Sequence, residues 1–95
     1  MDKFLEVIWS PEALLQKELI EKTKPQDQCD LYFTKLILLI EDIKRNPFKG
    51  LGKPEPLKYE VPPCWSRRIN KKDRLVYRIH KRDIHIISIL GHYND

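Results

Sequence analysis

The sequence predicts one α+β domain over residues 1–95: a first strand, a helical hairpin, then a twisted and mostly antiparallel sheet. Three observations predict it. Two stretches of the first half carry apolar residues at helical spacing, and the second half carries short β-rich runs separated by polar turns. A chain of 95 residues also has room for one core only. A chain of that size buries roughly 60–65% of the surface its unfolded form exposes, so one helical layer on one sheet is the expected architecture.

Phe4-Leu5-Glu6-Val7-Ile8-Trp9 reads as the first strand. Ser10-Pro11-Glu12 then starts a helix. Ser10 can cap it, Pro11 suits the first helical position, and Glu12 sits at the positive end of the dipole. Leu14, Leu15, Leu19 and Ile20 form its expected apolar stripe, and the helix is to end before Pro25. A second helix is expected from about Gln26 or Asp27 to Asn46, burying Cys29, Tyr32, Phe33, Leu36, Leu39, Ile40 and Ile43. Ile37 and Leu38 are expected to widen that face, and Pro47 stops the helix.

Pro47 to Pro54 reads as an irregular connector. Strands are then expected at Glu55–Tyr59, Trp65–Asn70, Arg74–Ile79 and Asp83–Leu90, the last three forming an antiparallel meander. Alternation places Leu75, Tyr77 and Ile79 toward the helices and Arg74, Val76 and Arg78 on the open face. Both rows of the last strand are largely apolar, so alternation alone does not place His92.

Charge is unevenly distributed. Residues 1–43 hold 5 Lys/Arg against 9 Asp/Glu, net −4, while residues 44–95 hold 13 against 5, net +8. A basic half of this kind suits a polyanion, although a solvated basic face reads equally well from charge alone. Cys29 and Cys64 are too far apart for a metal-ligand or CxxC pattern, so two reduced thiols are expected. No His/Cys/Asp/Glu set has metal spacing and no glycine-rich phosphate loop occurs, so neither metal nor cofactor is expected. No leader pattern opens the chain, and the longest apolar run, Leu36–Ile40, is far too short for a membrane span. A soluble cytoplasmic protein is the expectation.

Within the last 41 positions lie Glu55, Arg74, His92 and Tyr93. A carboxylate can take a proton, an arginine can hold a phosphate, and an imidazole or phenol can return a proton to a leaving oxygen. On the residues alone, Glu55 reads sooner as a strand-edge glutamate paired with Lys53 or Lys58, and Arg74 reads reasonably as a solvated arginine.

The strings GKPEPLK, WSRRI, RLVY and a terminal HY, in that order, resemble the YoeB/Txe toxins of the RelE superfamily. Ile8-Trp9-Ser10 and Arg45–Gly50 fit the same pattern, and residues 11–40 fit it least. The resemblance implies a RelE-like fold and a ribosome-dependent mRNA endonuclease of a toxin–antitoxin pair, working without metal. It implies Glu55 as general base, Arg74 as phosphate stabiliser and His92 as general acid with Tyr93 beside it, Tyr93 being able instead to stack on a base. Lys58 and Arg68 match basic positions that support the phosphate or the RNA backbone, with Arg67 the alternative to Arg68, since alternation turns only one of them to the groove. The implied partners are an acidic antitoxin of the YefM/Axe type, the bacterial ribosome and its mRNA, with room for a homodimer. The rival expectation is a catalytically weak RelE-like module that binds RNA or antitoxin only.

Overall fold

The computed structural model describes residues 4, 6–58 and 62–91. Its elements are β1 (Glu6–Trp9), α1 (Pro11–Thr23), α2 (Gln26–Arg45), β2 (Glu55–Pro56), β3 (Trp65–Arg68), β4 (Arg74–His80) and β5 (Asp83–Gly91). The strands form one sheet in the order β1-β5-β4-β3-β2. β1 runs parallel to β5, and every other pair is antiparallel. The expected α+β class and the meander of the last three strands are both present.

Ser10 fixes the junction of β1 and α1. Its Oγ accepts from the Ala13 N–H at 3.0 Å and donates to the Ile87 carbonyl at 2.7 Å, while its own N–H donates to Ile86 O at 2.9 Å. One residue thus caps a helix and ties that cap to the centre of the sheet. α2 buries Cys29, Tyr32, Leu36, Leu39, Ile40 and Ile43, the stripe its spacing predicts. These side chains pack on Leu75, Tyr77, Ile84, Ile86 and Ile89 from one sheet face.

Two apolar expectations fail. On α1, Leu14, Leu15 and Leu19 are 47%, 66% and 52% exposed, and only Ala13 and Ile20 are buried. The face of α1 that meets β5 is the narrow row Ala13-Gln16-Ile20, at i, i+3 and i+7, with a glutamine at its centre. The leucines lie off that row. On α2, Ile37 and Leu38 are likewise exposed. Strand ends also differ: β2 is two residues long, β3 stops at Arg68, and β4 and β5 each run one residue further than expected.

The register between β4 and β5 shifts between Val76, opposite Ser88, and Tyr77, opposite Ile86. Ile87 is therefore an extra residue on β5, which is a β-bulge. It lets Ile84, Ile86 and Ile89 all face the helices although their spacing changes from two to three. Simple alternation along β5 breaks at that point.

Candidate functional site

The helix-free face of the sheet carries Glu55 and Arg74. Glu55 opens β2, pairs across the ladder with Ser66, and its Oε1 accepts from Arg74 Nη1 at 2.6 Å. Their side chains are 42% and 20% exposed, so both stay open to a ligand. Arg74 opens β4 directly opposite Arg68, the exposed last residue of β3. Lys58, exposed, follows β2. Glu55, Arg74 and Arg68 thus share one corner of the sheet, an acceptor carboxylate among guanidinium groups. His92 and Tyr93 lie outside the described residues.

Next to that corner the face is not open as alternation predicts. Val76 is 1% exposed and packs with Leu57, Cys64 and Ile87 in a small second cluster. Ser66 and Ser88 flank Val76 in one cross-strand row, and their buried hydroxyls have no hydrogen-bond partner among the described residues.

Arg67 does not belong to this face. It is fully buried beneath the connector, and each of its five N–H groups has an acceptor. Nε donates to Tyr77 Oη at 3.2 Å. Nη1 donates to Asp42 Oδ2 at 2.7 Å and to Leu51 O at 3.2 Å. Nη2 donates to Asn46 O at 2.7 Å and to Lys49 O at 2.8 Å. The expectation that Arg67 could serve as an RNA contact is therefore corrected: every one of its donors is engaged, and its side chain is fully buried. Alternation sends Arg67 to the helix side with Leu75 and Tyr77 and leaves Arg68 outside.

The same cluster shapes the segment that delivers Glu55. Asp42 Oδ2 also accepts from the Leu51 N–H at 2.9 Å, and Tyr77 Oη donates to Pro47 O at 2.6 Å. Those bonds, led by the Leu51 N–H and then Arg67, hold the Asp42 carboxyl below its ordinary pKa. Burial raises the Tyr77 phenol, with Arg67 opposing. The Arg68 N–H then donates to Gly52 O at 2.6 Å, bringing the chain alongside β3 three residues before Glu55. Gly52 has φ +79, and a Cβ there would meet Leu39 Cδ2 at 2.9 Å and Arg68 O at 3.0 Å. Only glycine satisfies both conditions.

The far end of β5, which leads toward His92, is held by residues that composition did not single out. Gln16 Oε1 accepts from the Ile89 N–H at 2.7 Å and the Leu90 N–H at 3.1 Å. Tyr32 Oη lies 2.7 Å from Ile89 O, to which it donates, and 3.3 Å from Asp73 Oδ2. Burial and then the Asp73 charge push the Tyr32 phenol well above its ordinary range, so it remains a donor. Gln16→Leu is expected to strand two backbone donors and cost about 1–3 kcal/mol, while Gln16→Glu, which keeps an acceptor, costs less. Urea unfolding of the two variants checks this.

Comparison with known proteins agrees with the α+β fold. The family model for the YoeB-like toxin of bacterial type II toxin–antitoxin systems matches residues 17–93. A toxin YoeB of Synechocystis sp. is 59% identical over 56 residues, covering 59% of this chain and 65% of that protein. The chain spans 65–66% of the length of the curated relatives it matches. Among solved structures, the YoeB dimer of Staphylococcus aureus is 33% identical with a TM-score of 0.81, over 95% of this chain and 99% of that one. A heterotetrameric YoeB–YefM toxin–antitoxin complex from the same organism is 33% identical with a TM-score of 0.77, over 94% and 98%.

Proposed function

The chain belongs to the YoeB-like toxins of bacterial type II toxin–antitoxin systems, and from that membership we propose that it is a ribosome-dependent mRNA endonuclease that blocks translation. The observation that carries the reading is the Glu55–Arg74 pair at 2.6 Å on the helix-free face, with Arg68 opposite Arg74. A carboxylate suited to act as a base and a guanidinium suited to bind phosphate share one corner there.

Glu55 takes the proton of an mRNA 2′-hydroxyl. The freed oxygen attacks the adjacent phosphorus, and the bond from phosphorus to the 5′-oxygen breaks. Arg74 holds two non-bridging oxygens of the pentacoordinate phosphate, for which a planar guanidinium is suited. His92 protonates the departing 5′-oxygen, with Tyr93 beside it. The products are a 2′,3′-cyclic phosphate and a 5′-hydroxyl. The ion pair has a place in this sequence: substrate phosphate draws Arg74 away from Glu55, and the carboxylate loses its counter-charge as RNA excludes water.

Lys58 and Arg68 support the RNA backbone, and the +8 half of the chain supplies long-range attraction to ribosome and mRNA. An acidic antitoxin of the YefM kind, the partner named for the S. aureus complex, covers the basic groove. The exposed leucines of α1 and α2 leave an apolar surface that suits a protein partner, whether antitoxin or a second copy. The protein acts in the cytoplasm, where ribosomes translate. Expression of the chain alone is expected to arrest growth and produce new mRNA 5′ ends by primer extension, and co-expression of its antitoxin to abolish both. Unimpaired growth with soluble wild-type protein contradicts the reading.

A further inference from the structure

Upstream of Trp65 the chain leaves the sheet at Pro62-Pro63, while β4 continues past Tyr77, the partner of Trp65, through Arg78 to His80. The sheet edge therefore has a recess, and Phe48, Pro62, Pro63, Trp65, Arg78 and His80 enclose about 320 Å³ of it. Phe48 is 47% exposed, and its ring lies 4.8 Å from that of Trp65 at 43°. Arg78 stands on the same row of β4 as Arg74, four residues or ~13 Å along the strand. Trp65 is the ladder partner of Pro56, the residue after Glu55. Trp65 and Ile79 belong to the helix-side rows and Arg78 to the row of Arg74, so the recess opens at the edge of the sheet, at the opposite end of β4 from the corner described above, and includes none of that corner's residues.

We propose that this recess receives the base of a nucleotide neighbouring the one whose phosphate reacts, a subsite for single-stranded RNA that rests on the nuclease reading above. Flat aromatic and proline rings offer stacking faces, and stacking on aromatic side chains is how unpaired bases are held. Arg78 supplies a cation for the phosphate of that nucleotide, and the His80 imidazole a hydrogen-bonding edge. A peptide is the poorer occupant. Pro62 and Pro63 have no N–H to offer an added strand, and the rings and Ile79 are edged by the guanidinium of Arg78 and the imidazole of His80, groups that suit a nucleotide. The volume also suits one planar group better than a helix face.

The test is single-turnover cleavage on ribosomes programmed with mRNAs in which the base at each position flanking the cleaved bond is removed in turn. Wild-type protein is expected to slow roughly 5- to 100-fold at one such position, the scale of a lost stacking contact. Phe48→Ala is expected to slow comparably on intact mRNA and to become indifferent to base removal there. Arg78→Gln slows but keeps the dependence, and Trp65→Phe, which retains a ring, stays near wild type. Unchanged thermal midpoints show that the variants are folded. Wild-type rates and wild-type base dependence in both Phe48→Ala and Arg78→Gln overturn the subsite. So does a Phe48→Ala protein that cleaves normally but binds a purified antitoxin peptide less tightly. A wild-type protein that cleaves yet ignores every base removal sinks this inference alone, whereas one that cleaves no programmed ribosome sinks the nuclease reading and the subsite with it.

Discussion

Arg67→Ala is expected to destabilise the protein by about 3–5 kcal/mol, because it leaves Asp42 and three backbone carbonyls without their buried partner. In a domain of this length that lowers the thermal midpoint by more than about 12 °C. Arg67→Lys should recover only part of the loss. An ammonium has three donors around one point and cannot span Asp42, Tyr77 and the connector as the planar fork does. The neighbouring change Arg68→Ala removes an exposed side chain and should stay within about 0.5 kcal/mol. Adjacent arginines in one motif therefore separate cleanly, one by stability and the other by RNA affinity. The same cluster sets an acid limit. The folded pKa of Asp42 lies below its ordinary 3.8, so its contribution is complete above that value and is lost as pH falls through the depressed one. Asp42→Asn should flatten the fall of stability below about pH 4 in acid titrations followed by circular dichroism.

Much of this was legible in the sequence, and the misses have physical causes. Ser10 was readable as a cap because the N-cap chemistry is local to three residues. The α2 stripe was readable because six buried positions repeat at helical spacing. The α1 leucines misled because hydrophobicity marks what can be buried, while the sheet meets that helix on the row containing Gln16. Gln16 itself carries no signal, since an acceptor for two N–H groups 73 and 74 residues away looks like any surface glutamine. Arg67 and Arg68 could be told apart only in kind. Alternation says that one turns inward, but the choice depends on Asp42, 25 residues earlier, and on a connector that closes over the guanidinium. The bulge at Ile87 hid the facing of β5, because a register shift is set by pairing across strands and not by the strand's own pattern. Glu55 and Arg74 were singled out by resemblance of their motifs, and their separation of 19 residues gave no hint of the direct contact between them.

The second large effect is on rate. Glu55→Gln removes the proposed base while keeping shape and hydrogen-bonding capacity, and is expected to slow cleavage by about 10²–10⁴-fold. Its ion pair with Arg74 is partly exposed, and such pairs contribute about 0–1 kcal/mol, so the thermal midpoint should move little. Ribosome binding should survive as well, since losing a negative charge does not weaken attraction to RNA. Arg74→Ala should lose a comparable factor in rate, through the phosphate rather than through the proton. In the proposed mechanism these residues act on one bond, so their losses should not be additive, and Glu55→Gln/His92→Gln should be little slower than the poorer single variant.

Single-turnover cleavage of mRNA on programmed ribosomes, comparing wild type with Glu55→Gln at matched occupancy, is the most direct measurement. The proposed mechanism predicts a burst of cut mRNA with a 5′-hydroxyl end from wild type, and a rate lower by at least about 100-fold from a Glu55→Gln protein that binds the ribosome equally well. A Glu55→Gln protein that cleaves at the wild-type rate contradicts it, and a wild type that binds but never cuts points instead to a RelE-like binding module.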